Sequence, residues 1–230
     1  MSEKVQEERL LFYEKFAHEF DSKMNMYDTR KRISVIFDEL LVEDLRGKKL
    51  LDAGCGTGWF SKAASERGAL VTSMDLGENL LGKVKEKCNS TTVVGSILDI
   101  PFPDNSFDVV ISSEVIEHTV DPQRAISEMH RVLKPGGLMV VTTPNKLWYF
   151  SVWIANALKL RPYQGLENWI SWRQFRRAHE LAGQVIMESR GIHLFPFVVS
   201  FLNPVLDFFH RFNKGLCLFI VNMAIKSRRD

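Results

Sequence analysis

The chain has 230 residues, of which 45% are hydrophobic, enough for one well-buried core and short for two. Thirty Lys and Arg against 28 Asp and Glu leave no strong field pointing to nucleic acid, although basic residues gather at 30–32, 173–177 and 226–229. Three cysteines without paired or metal-like spacing fit a reducing compartment; the polar start excludes a secretory or transit signal, and no apolar run reaches the ~18 residues of a membrane span. These features read as a cytoplasmic-type protein, with room for peripheral contact at the inner face of a membrane.

Residues 3–20 carry Leu10, Leu11, Phe16 and Phe20 near helical spacing, and a second helix is expected over Arg30–Val42. From residue 48, short apolar runs alternate with helical stretches. The runs are Lys49–Asp52, Leu70–Met74, Thr91–Val94, Phe107–Ser112 and Leu138–Thr143; the helices are Phe60–Arg67, Glu78–Lys87 and Pro122–Leu133. Such alternation predicts parallel strands joined by crossover helices, an α/β sheet covered on both faces. Asp121 is an N-cap with Pro122 behind it, and Lys134-Pro135-Gly136-Gly137 stops that helix. An aromatic segment follows, then a helix near Arg173–Ala182 and two strands within 185–226. The chain thus divides into N-terminal helices (1–46), a ligand-binding core (47–145), a cap insertion (146–184) and the last two strands (185–230) of one domain.

"LLDAGCGTGWF" puts Gly54, Gly56 and Gly58 directly after the first strand, where glycine allows a tight turn and close approach of a ligand to the backbone. Asp75 ends the second strand, the position from which a carboxylate reaches a ribose. The nicotinamide fingerprint requires glycine at 59; Trp59 argues against a dinucleotide, and the spacing is G-x-G-x-G introduced by Asp52.

"LLDAGCGTGWF", "VTSMDLGENLL", "GSILDIPFPDNSFDVVISSEVIEHTVDP" and "RVLKPGGLMVVTTPN" together resemble the class I S-adenosylmethionine-dependent methyltransferases over about residues 25–145. The resemblance implies a Rossmann-like seven-stranded, mostly parallel sheet with a reversed final hairpin. It implies that Gly54, Gly56 and Gly58 line the methionine and ribose part and that Asp75 holds the ribose hydroxyls. Leu76, Asp99 and Ile100 would flank the adenine. Within that group, "RGKKLLDAGCGTG", "VISSEVIEHTVDP" and "TTPNKLWYFSVWIANALKL" resemble the ubiquinone-biosynthesis O-methyltransferases. That likeness implies cofactor contacts from Arg32 (or Arg30 if the register slips) and from Ser113. The chain departs from it at "GLENWISWRQF" and in its apolar end, the regions that shape an acceptor pocket.

Glu114, Glu117 and His118 leave the fourth strand at i, i+3 and i+4, one face of a helical turn. Two carboxylates and an imidazole suit Mg²⁺, Mn²⁺ or Zn²⁺, and the resemblance implies a metal on these three. A metal-free reading leaves His118 as the general base, and a purely structural one places acids in a helix's first turn. Trp148, Tyr149, Phe150 and Trp153, with Trp169 and Trp172 and the basic Lys159, Arg161, Arg173, Arg176 and Arg177, read as an acceptor wall beside an interfacial surface, or as ordinary core. The expected activity is O-methylation of a small aromatic or lipid-linked hydroxyl compound. Another acceptor (sugar, carboxylate or carbon) or a non-catalytic cofactor-binding scaffold are the rivals.

Overall fold

The computed structural model describes residue 21 and residues 24–157, 165–193 and 221–230. The helix expected over 3–20, Lys159, Arg161 and Cys217 lie outside the described residues.

Helix α1 (Met26–Ser34) starts at Asn25, whose side chain accepts from the amides of Tyr27 and Asp28, and runs on as a π-helical turn over Val35–Leu40. The core then alternates: β1 (Lys49–Ala53), α2 (Trp59–Glu66), β2 (Leu70–Asp75), α3 (Glu78–Lys87), β3 (Thr91–Val94), β4 (Phe107–Ser113), α4 (Pro122–Val132) and β5 (Leu133–Pro144). A short helix α5 (Tyr149–Ala157), helix α6 (Trp172–Leu181), and strands β6 (Gln184–Gly191) and β7 (Asn222–Arg229) complete the described elements. The seven strands lie in the order β3-β2-β1-β4-β5-β7-β6. The first five pair in parallel, and β7 enters antiparallel between β5 and β6, the reversed hairpin expected of this fold.

Alternation along each strand divides the core into two layers. Leu51, Ala53, Val110 and Val141 face Ile126 and Met129 of α4 and Phe175 of α6. Their neighbours Leu50, Val109, Ile111 and Val140 face Ile36 and Leu40 beyond α1 and Phe60 of α2. Asp121 caps α4 by accepting from the Arg124 amide at 3.0 Å. Ser171 and Gln174 form a capping box on α6. The stop signal at 134–137 lies inside β5, which starts five residues before the expected Leu138 because Leu133 already pairs with Phe107.

The carboxyl ends of β1, β2 and β4 therefore open together at one edge of the sheet, the place where open α/β sheets bind ligands.

Candidate functional site

A cavity of about 340 Å³ opens over those strand ends. Its floor is the glycine loop. Gly54 has φ +81°, and a Cβ there would sit 2.4 Å from Val115 Cγ1. Gly58 has φ +87°, and its Cβ would approach Val84 Cγ2 to 2.9 Å. Any side chain at either position would be strained in its backbone and blocked in space. Gly54 and Gly56 thus present bare main chain to whatever the cavity holds, whereas Gly58, expected on the ligand as well, does not line the cavity and instead lets α2 pack closely on Val84 of α3.

Asp75 closes the loop from β2. Its Oδ2 accepts from the Gly56 amide at 2.9 Å and its Oδ1 from the Gly77 amide at 3.1 Å. Leu76 lines the wall beside it. Asp52 lies beneath the loop rather than in the cavity wall: it is buried, and its carboxylate accepts from Ser61 Oγ at 2.6 Å. Burial, with the nearby charge of Asp75, pushes its pKa up to about 7.

On the adenine side expected from the sequence, the wall consists of Ser96, Ile97 and Leu98. Asp99 is exposed and Ile100 is buried in the core; neither lines the cavity.

Across the cavity, Arg32 is buried and lines the wall, while Arg30 is exposed and does not. Arg32 donates from Nε to Asp28 Oδ2 at 2.9 Å and from Nη1 to Ser113 Oγ at 3.0 Å. Its guanidinium also lies 5.5 Å from the Phe60 ring centroid. Burial works against the arginine's charge, but Asp28 and Glu114 outweigh it and hold its pKa above the ordinary value. His193, buried where β6 ends, places Nε2 3.0 Å from Asp28 Oδ1.

The cluster that the sequence places on one helical face does not form one. Glu114 has φ +56°, and only Ile116–His118 make a single 3-10 turn. Glu114 lines the cavity, but its carboxylate is engaged by the sheet: Oε1 accepts from Thr142 Oγ1 at 2.9 Å and Oε2 from Asn222 Nδ2 at 2.6 Å. Glu117 is buried away from the cavity and accepts from Thr143 Oγ1 at 3.1 Å. His118 lines the cavity, with its Nε2 3.9 Å from Glu117 Oε1. Among the described residues no three His, Cys, Asp or Glu side chains are arranged to hold a metal ion. The expected ion site therefore does not fit: the left-handed residue at 114 breaks the i, i+3, i+4 geometry, and Glu117 is buried and does not line the cavity that His118 lines.

The carboxylates are nonetheless perturbed. Burial raises the pKa of Glu117 well above the usual carboxylate range, and the charge of Glu114 adds to it. Burial raises Glu114 as well, with Arg32 opposing.

A brace from the segment 165–170 holds the 116–119 turn. The Leu166 carbonyl lies 2.8 Å from His118 Nδ1, the Asn168 amide donates to Glu117 O at 2.6 Å, and Asn168 Nδ2 donates to Thr119 O at 3.3 Å. A carbonyl only accepts, so the contact places the proton on Nδ1 and leaves the lone pair of a neutral ring on Nε2.

The aromatic segment stands apart. Tyr149, Phe150 and Trp153 are 43%, 54% and 71% exposed and do not line the cavity. Trp169 packs edge-on against Tyr149, and Trp172 packs against the core. Among the residues that the sequence did not single out are Met24, Thr57, Phe60 and Val115 on the cavity wall, and Asp28, Thr142 and Asn222 behind it. Asp28 had a visible signal, its i−4 spacing from Arg32; Asn222 had none.

Residues 51–141 match the methyltransferase domain family. Over 98 residues the chain is 39% identical to a malonyl-[acyl-carrier protein] O-methyltransferase of Serratia marcescens, covering 42% of this chain and 38% of that relative. The chain thus spans well under half of that relative's length. It is 31% identical over 167 residues to a ubiquinone biosynthesis O-methyltransferase of Coxiella burnetii, covering 66% of this chain and 70% of the relative. The fold is that of an S-adenosylmethionine-dependent methyltransferase from Mesorhizobium loti, with a TM-score of 0.64 at 19% identity over 86% of this chain and 98% of that one. The bare glycine loop and the acidic end of β2 suit a nucleoside-bearing cofactor lying against main chain. Sequence, sheet order and cavity agree, and the chain belongs to the class I S-adenosylmethionine-dependent methyltransferases.

Proposed function

We propose that this methyltransferase acts on oxygen, methylating a small aromatic or lipid-linked hydroxyl compound with His118 as the general base. The observation that carries this is the Nδ1 contact of His118 with the Leu166 carbonyl, which supports a fixed tautomer with Nε2 as proton acceptor on a cavity-lining ring. Both named relatives are O-methyltransferases, which supports an oxygen acceptor.

S-adenosylmethionine, when bound, would supply an electrophilic methyl group, which the acceptor oxygen takes by in-line attack as the S–C bond breaks and S-adenosylhomocysteine leaves. The main chain at Gly54 and Gly56 gives the cofactor its close seat, and Asp75 offers lone pairs to sugar hydroxyls. Leu76 provides apolar contact. Arg32 and Ser113 present a fixed cation and hydroxyl to the polar end of the ligand. His118 Nε2 removes the hydroxyl proton, so the acceptor attacks as an oxyanion and the ring holds the proton until solvent takes it. Glu114 and Glu117 hold the 113–118 turn in place, and no step needs an ion on them.

Exposed Leu147, Tyr149, Phe150 and Trp153 beside Lys146 support an interfacial face for a lipid-linked acceptor at an anionic membrane surface. No helix among the described residues is long and apolar enough to cross a membrane. Co-sedimentation with anionic liposomes at low salt is expected, and its absence removes the membrane part of the proposal.

The experiment is turnover of labelled S-adenosylmethionine with a panel of catechols, phenols and carboxylates, comparing wild type with His118→Gln. Phenolic turnover is expected to fall at least a hundredfold in His118→Gln, in line with the ~10²–10⁴ contribution of a positioned base, and to survive chelator in wild type. Activity on a carboxylate that ignores His118→Gln replaces the hydroxyl reading, because a carboxylate attacks without losing a proton. Tight cofactor binding without turnover on any acceptor would leave the scaffold reading.

A further inference from the structure

One part of the cavity's construction concerns Asp21, which lies ahead of α1 and outside the sheet. Its Oδ1 accepts from Thr57 Oγ1 at 2.6 Å and from Trp59 Nε1 at 3.1 Å. Its Oδ2 lies 2.7 Å from Lys87 Nζ at the end of α3. Thr57 and Trp59 belong to the glycine loop and the first turn of α2, and both line the cavity; so does Met24, three residues beyond Asp21. The Trp59 ring is held further by the ammonium groups of Lys62 and Lys87, 5.7 and 5.5 Å from its centroid. Burial works against the charge of Asp21, and the Lys87, Thr57 and Trp59 contacts outweigh it, holding the carboxyl below the usual range.

We propose that Asp21 is a positioning residue for the cofactor, gripping Thr57 and Trp59 of the glycine loop so that Trp59 walls the cavity beside Met24. The loop is then gripped from two sides. Asp75 fixes the Gly56 amide from the rigid end of β2, while Asp21 fixes residues 57 and 59 from a part of the chain the sheet does not hold. Trp59, which fills the site where a dinucleotide fold has glycine, gains a reason for its indole N–H: phenylalanine would give the same wall without the donor that closes it. Two neutral donors and one cation converging on a single carboxylate are charge-assisted contacts, stronger than neutral pairs. Loss of these contacts frees Thr57 and Trp59 to move away from a ligand seated on the loop.

The clasp is independent of which acceptor is methylated, because the readout is cofactor binding and release. Binding of S-adenosylhomocysteine is measured by calorimetry, and release of labelled S-adenosylmethionine by filter-binding chase, for wild type, Asp21→Ala, Asp21→Asn and Trp59→Phe. Melting temperatures of the ligand-free proteins are taken alongside. Asp21→Ala is expected to weaken binding at least tenfold through faster release. Asp21→Asn retains an oxygen for Thr57 and Trp59 but loses the charge and the Lys87 contact, and is expected to fall between wild type and Asp21→Ala. Trp59→Phe keeps an aromatic ring and the carboxylate but removes the indole N–H, and is expected to lose at least threefold and to add little to Asp21→Ala when the two are combined. Dissociation constants within twofold of wild type in both Asp21→Ala and Trp59→Phe overturn the proposal, even if melting temperatures fall, because the contacts then serve the fold alone. Should Asp21→Ala not fold, Trp59→Phe decides by the same threshold.

Discussion

Asp75→Asn is the sharpest test of how the cofactor seat is built. The native carboxylate accepts at both oxygens, from Gly56 N and Gly77 N. Asparagine has nearly the same shape but one oxygen, so one of the two amides must face an NH₂ group. A hydrogen bond to a charged acceptor is worth ~1.5–3 kcal/mol, and each 1.4 kcal/mol is tenfold, so losing one while the loop must still order around ligand weakens binding about 10- to 150-fold. Asp75→Ala removes both acceptors together with the lone pairs offered to a sugar, and is expected to weaken binding at least tenfold as well. Calorimetric titration with S-adenosylhomocysteine measures both variants, and melting of the ligand-free proteins shows whether the fold survives. A constant for Asp75→Asn within twofold of wild type, on a folded protein, would refute the reasoning.

Two further predictions concern buried titratable groups. Glu117 has its folded pKa raised by burial and by Glu114, so the native state favours the protonated form, and the associated stability is present below the ordinary carboxylate pKa and lost as pH rises. Glu117→Gln, which keeps an oxygen for Thr143, is expected to be more stable than wild type at pH 8 and to lose that advantage near pH 4.5; a pH-independent difference in denaturant midpoints sinks this. His179 is fully buried in α6, with Nδ1 3.1 Å from Ser227 Oγ, and burial lowers its pKa to about 3. Its folded pKa lies below the unfolded one, so stability falls as pH drops from 6.5 towards 3, by up to ~1.4 kcal/mol per pH unit from this one group. His179→Phe is expected to flatten that acid limb; an equally steep limb in the variant would show that other groups produce it.

The sheet and the cofactor loop were legible in the sequence because both write themselves locally. Strand runs such as Val109-Val110-Ile111 alternate with capped helices, and glycines at 54, 56 and 58 stand where φ must be positive. The cluster at 114–118 was misread for an equally local reason. Spacing of i, i+3 and i+4 means one face only on a helix, and Glu114, a residue that carries no turn signal, adopts a left-handed conformation. What remained invisible depends on register between distant strands. Pairing of Pro144 with Asn222 brings the Asn222 amide to Glu114 across 108 positions, and β6 ends where it can deliver His193 to Asp28. Nothing in the composition of 185–230 marks those two residues out from their neighbours. The aromatic segment was ambiguous because periodicity cannot tell a pocket wall from a surface; the structure puts Trp153 on the outside.

The insertion of β7 between β5 and β6 has a consequence for how the molecule is made. During synthesis the five parallel strands leave the ribosome long before residue 222, and their crossover units can begin to assemble at once. Until β7 threads in, Glu114 lacks its Asn222 partner and the edge of β5 stands open as a template for any passing strand. The closure of that edge spans a long stretch of chain, so it is slow and comes late. The polar lattice behind the cavity is thus a product of the final folding event. A nascent chain stalled before β7 would hold most of the sheet and a finished glycine loop, yet present an adhesive edge to its neighbours.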